Sequence, residues 1–152
     1  MLEPPNFDET DAPILFNVED VAFELADEQK ITAWIEQIVT LEHKRIKSIS
    51  YIFCSDNYLH EMNMEYLNHD TLTDIITFPY AKSPIEGDIF ISIDRVKDNA
   101  NDFGVPFETE LHRVLIHGVF HLCGYKDKTA AQQKLMRQKE DTALALLNKN
   151  KI

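Results

Sequence analysis

The chain is short of several things that would each point to a particular class of protein. It has two cysteines, Cys54 and Cys123, in 152 residues. That excludes a disulfide framework and fits a reducing compartment. No apolar run approaches the roughly 20 residues that a bilayer-spanning helix needs. The opening MLEPPNFDETDAP has neither the basic n-region nor the apolar h-region of a secretory leader. The expectation is a cytoplasmic protein with no membrane partner. Basic residues are also scarce at the start: residues 1–43 hold eleven acids against one base, Lys30. The net charge of -11 speaks against a nucleic-acid partner if spread evenly, but it is not spread evenly. From Lys126 to the end, seven bases face three acids. The acidity belongs to the N-terminal quarter, and the rest of the chain leaves room for RNA.

The hydrophobic share of 44% and charged share of 27% are those of an ordinary globular protein. The length suits one domain with a real core. We expect an acidic N-terminal segment, 1–12, followed by a single domain, 13–152. ILFNVED (14–20) reads as a short first strand entering a turn. Ile31, Trp34, Ile35, Ile38, Val39 and Leu41 recur at helical spacing between Glu28 and Glu42. IKSISYIFC (46–54) alternates as a strand does. Ser55 or Asp56 caps a helix to about Leu67. The loop NHDTLT leads to DIITFPY, a strand stopped by Pro79, and after the turn AKSPIEG its hairpin partner is DIFISI. Helices follow over Asp94–Asp102, Phe107–Cys123 (closed by Gly124) and from a Thr129 cap to about Asn148. Strands interleaved with helices place the chain in the α/β (α+β) class, as a single mixed sheet covered by helices.

The one unusual constellation is HGVFHLCGYKDK (117–128). His117 and His121 are four residues apart, on one face of a long helix and one turn from each other. Two imidazoles so placed can converge on a metal. Gly124 lets the helix stop, and the turn after it brings Asp127 within reach of the same ion. Two histidines and an aspartate leave a coordination position open, as a catalytic site requires. The plainer alternative is that Gly124 only ends its helix and Asp127 only caps the next. His112 is poorly phased with the pair and reads as a surface or supporting residue, Cys123 as a buried apolar one.

HGVFHLCGYKD resembles the H-G-x-L-H-L-x-G-Y-D-H signature of the YbeY family, bacterial rRNA maturation factors that act as metal-dependent single-strand endoribonucleases. NMEYLNHDTLTDIITFPY (63–80) is similar to that family's N-x-x-Y-R-x-K-D-x-P-T-D-V-L-S-F-P, and GDIFIS (87–92) to its G-D-I strand, in the same order and spacing. The resemblance runs from about Ser48 to Leu147. It implies one zinc ion held by His117, His121 and Asp127, and a ribonuclease acting on single-stranded RNA or rRNA beside the ribosome or a ribosomal protein. Asp127 stands where the family has a third histidine. A carboxylate there lowers the charge of the site, acidifies bound water less and shifts metal choice toward manganese or iron; contact through water is the alternative. Leu67 stands where the family has an arginine assigned to catalysis. Arg113, one turn before His117, is the candidate replacement as a phosphate contact, against the alternative of an exposed ion pair with Glu110. Thr73 and Asp74 match the family's T-D pair. Asp74 either orients a histidine or serves, with Thr73, the turn before the strand.

Two other functions compete. A zinc peptidase would need the glutamate of H-E-x-x-H as its general base, and Gly118 stands there. A non-enzymatic ribosome-biogenesis module with a structural metal is the other, favoured by Leu67 and the acidic composition.

Overall fold

The computed structural model describes residues 13–69 and 72–149. Four strands, β1 (Ile14–Val18), β2 (Ile46–Cys54), β3 (Ile75–Lys82) and β4 (Ile85–Ser92), form one sheet in the order β1-β2-β4-β3. β1, β2 and β4 are parallel and β3 is antiparallel to β4, so the sheet is mixed, as expected. Five helices pack with it: α1 (Glu28–Leu41), α2 (Asp56–Leu67), α3 (Ile93–Phe103), α4 (Phe107–Leu122) and α5 (Ala130–Lys149). The expected acidic segment 1–12 and part of the NHDTLT loop lie outside the described residues.

Each element follows from its residues. In β2, Ile49, Tyr51 and Phe53 are buried on one face, as a two-residue period dictates. α1 buries Ile31, Trp34, Ile35, Ile38 and Val39 at helical spacing. The Trp34 indole Nε1 donates to the Ala143 carbonyl (2.8 Å) and the Tyr51 hydroxyl to the Leu115 carbonyl (2.9 Å). Both large rings are therefore buried without an orphaned polar atom. Ser55 caps α2 by accepting from the Tyr58 amide, a contact worth about 1 kcal/mol.

The boundaries nearest the site differ from expectation at β3, β4 and α4. β3 does not stop at Pro79 but runs to Lys82, and the turn into β4 shrinks to Ser83–Pro84. The reason is position. β3 is an edge strand, and the Ser92 amide donates to the Asp74 carbonyl. Alternation along the ladder then puts Pro79 opposite Gly87 with its missing N–H on the open side. α4 ends at Leu122, one residue earlier than expected, with Cys123 as its cap.

α4 carries the site and is the most enclosed helix, with Leu111, Val114, Leu115, Ile116, Gly118, Val119, Phe120 and Leu122 buried. Gly118 brings it onto the sheet. A Cβ there would stand 3.0 Å from two Ile89 carbons and 3.1 Å from Ile75 Cδ1. Among the described residues no helix is long and apolar enough to cross a membrane.

Candidate metal centre

The end of α4 is built to turn the chain back on itself. Gly124 has φ of 107°, its amide donates to the His121 carbonyl (2.9 Å), and the Tyr125 amide donates to the Phe120 carbonyl (3.0 Å). These are the paired bonds of a Schellman motif with glycine at its left-handed position. Three residues later Asp127 faces the histidines. Its Oδ2 lies 3.3 Å from His117 Nε2 and 3.4 Å from His121 Nε2. One ligand atom from each of the three residues falls within 4.8 Å of the others.

The other ring nitrogens are already engaged. His117 Nδ1 is 2.6 Å from Glu140 Oε2, and His121 Nδ1 is 2.8 Å from the Tyr125 carbonyl. A carbonyl only accepts, so His121 carries a proton on Nδ1, and in the neutral ring the Nε2 lone pair is the one that faces Asp127. Glu140, when ionised, does the same for His117. With both rings neutral, two imidazole lone pairs and a carboxylate oxygen face one another across a gap that a cation can fill. The two histidine–carboxylate distances, 3.3 and 3.4 Å, are close to the roughly 3.4 Å between donors sharing a tetrahedral ion at about 2.1 Å, and all three donors lie within 4.8 Å of one another. The donor set therefore fits a divalent cation.

Behind each histidine stands a support. Glu140 is buried, and its other oxygen accepts from Arg113 Nη1 (2.9 Å), whose Nη2 donates to Asp141 (2.8 Å). Burial opposes charge on His117, but the hydrogen bond and charge of Glu140, with Asp127 and Asp74, outweigh it and raise its pKa above the usual histidine value. Burial also opposes charge on Arg113, and Asp141 and Glu140 overcome it, raising its pKa further. On the loop side, the Tyr125 hydroxyl donates to Glu42 (2.7 Å), which also pairs with Lys139. The Lys139 ammonium lies 4.9 Å from the centre of the Tyr125 ring.

The centre opens into a cleft of about 890 Å³. Every candidate residue lines it: Thr73, Asp74, Arg113, His117, His121 and Asp127. Thr73 donates from Oγ1 to the Ile75 carbonyl (3.3 Å), which is turn chemistry. Asp74 accepts from the Asn99 amide (3.3 Å) and makes no bond to a histidine among the described residues. Burial, partly offset by the charge of His117, raises its pKa. Arg113 is neither exposed nor paired with Glu110; α5 holds it. Leu67 also lines the cleft and is 42% exposed. Lys82, Lys126, Lys128 and Arg137 supply cations to the same cleft.

Sequence reasoning missed Glu140. A signal was present: Met136, Glu140, Ala143, Leu144 and Leu147 share the buried stripe of α5, so a carboxylate stands at an apolar phase of the helix. Buried charges at such positions require a partner.

Residues 16–148 match the family model described as Endoribonuclease YbeY. The chain is 54% identical over 136 residues to the endoribonuclease YbeY of Flavobacterium johnsoniae, covering 89% of this chain and 97% of that one. It is 42% identical over 134 residues to that of Bacteroides fragilis, covering 88% and 96%. A solution structure from Thermotoga maritima superposes with a TM-score of 0.63 at 27% identity, over 88% of each chain. The chain belongs to the YbeY endoribonuclease family.

Proposed function

We propose that residues 13–152 form one endoribonuclease domain that cuts single-stranded RNA, ribosomal RNA above all, during ribosome maturation in the cytoplasm. The observation that carries this reading is the convergence of His117, His121 and Asp127 in a cleft also lined by Lys82, Lys126, Lys128 and Arg137. The three donors would hold one ion, zinc first, with manganese or iron favoured in proportion to the harder Asp127 ligand. When bound, the ion supplies Lewis-acid charge at the scissile phosphate and activates the attacking water or hydroxyl. Around it the protein does the rest. Glu140 and the Tyr125 carbonyl keep both rings in the orientation that presents Nε2. The lysines and Arg137 draw in the phosphate backbone. Arg113 lines the cleft while bonded to Glu140 and Asp141, so a phosphate contact would use the donors those pairs leave over. The acidic segment 1–12 suits a basic ribosomal protein.

Peptidase chemistry has an obstacle beyond a missing glutamate. Position 118 packs against Ile89 and Ile75, and a carboxylate there would have to displace them. The binding-only module remains the competing reading, favoured by Leu67 at the arginine position. Purified protein carrying its metal should cleave a single-stranded oligoribonucleotide, and His117→Ala should lose at least about a hundredfold of that rate. Equal cleavage by both would mark a contaminating nuclease and support the module.

A further inference from the structure

We propose that Phe103 is a stacking platform on which one base of a single-stranded RNA rests while the strand occupies the cleft. This rests on the endoribonuclease reading above. Phe103 ends α3, is 60% exposed, and lines the same cleft as the metal ligands. The other described phenylalanines, Phe16, Phe23, Phe53, Phe78, Phe90, Phe107 and Phe120, each meet another aromatic ring. Phe103 meets none among the described residues and belongs to neither buried apolar cluster. The core therefore does not account for it.

Its position is held from both sides. One turn earlier on the same helix face, Asn99 donates to Asp74 in the cleft. Immediately after it, Gly104 takes a left-handed conformation that ends the helix. The helix end that carries the ring thus stands at a defined place on the wall. The cleft adds cations, among them Lys126, Lys128 and Arg137. Positive charge for the phosphates beside an open aromatic face for a base is the combination that single strands use. A duplex keeps its bases stacked inside and gains nothing from such a ring, so Phe103 contributes to discrimination for single strands.

The test uses metal-loaded protein, a fluorescent 2′-O-methyl oligoribonucleotide checked for intactness, and the variants Phe103→Ala and Phe103→Trp. Phe103→Ala should weaken single-strand binding about tenfold and leave duplex binding and thermal melting unchanged. Phe103→Trp should bind within about twofold of wild type. Trp34 is 1% exposed, so the added indole reports separately. Its emission should be quenched by the oligonucleotide, and not by an abasic strand of equal charge. Unchanged affinity in Phe103→Ala, or equal quenching by the abasic strand, would overturn the proposal. A shift in oligomeric state in place of RNA affinity would assign the ring to self-association and overturn it equally. Wild-type protein that neither binds nor cuts single strands would instead overturn the parent reading, and this one with it.

Discussion

His117 and His121 offer the same atom to the same carboxylate, at 3.3 and 3.4 Å, yet they are held by different kinds of structure. His117 leans on a side chain from α5: Glu140, buried and itself fixed by Arg113. His121 leans on a backbone carbonyl in its own following turn, and that turn is pinned from outside by Glu42 and Lys139 through Tyr125. One support carries charge and depends on a single residue. The other is neutral, depends on the path of the chain, and is buttressed by several contacts. The difference teaches that the two sides of the centre should respond differently to substitution, although they do the same job.

The largest effect is expected on the charged side. Glu140→Gln keeps the shape but removes the charge and an assured acceptor for His117 Nδ1, and should weaken metal affinity about 10- to 100-fold. A chelator competition on folded protein measures this; affinity within about twofold of wild type would show that Glu140 only packs. The same variant changes acid behaviour in the metal-free state. His117 has a folded pKa above its ordinary value. Its stabilising contribution is therefore full below the unfolded pKa of about 6.5 and is lost as pH rises through the folded value. Metal-free Glu140→Gln should lose that acid-side stabilisation, and melting curves at about pH 6 and pH 8 would expose a variant that keeps it.

A smaller effect is expected at Arg113. Arg113→Ala removes Glu140's partner but leaves His117's, so metal affinity should fall less than in Glu140→Gln, by about three- to tenfold. A steeper loss of cleavage than of metal would instead give Arg113 direct contact with phosphate. The smallest belongs to the loop side. Tyr125→Phe deletes the hydroxyl that bonds Glu42 and leaves the carbonyl that His121 needs. It should cost about 1 kcal/mol of stability with metal affinity unchanged. A loss of metal comparable to that of Glu140→Gln would erase the contrast between the two supports.

Much of this was readable from the residues. Strict alternation in 46–54, the apolar face of 28–41 and the glycine stop at Gly124 are local signals, and the elements stand where those signals put them. So does the pairing of His117 with His121, because i,i+4 spacing is a property of the helix alone. What was hidden depends on distant parts of the chain. Glu140 meets His117 across 23 residues and Glu42 meets Lys139 across 97. In a helix with many charges, Glu140 stands out only if its buried phase is noticed. β3 passes Pro79 because it lies at the sheet edge, and strand order is not written in local pattern. Spacing puts Arg113 on the helix face of His117, but its partners come from α5, which local spacing cannot supply.

Metal content measured on protein purified without added metal tests the central claim most directly. About one tightly held ion per chain is expected in the wild type, and almost none in a folded His117→Ala. Folded wild-type protein that holds no metal, or a variant that retains as much as the wild type, would contradict it.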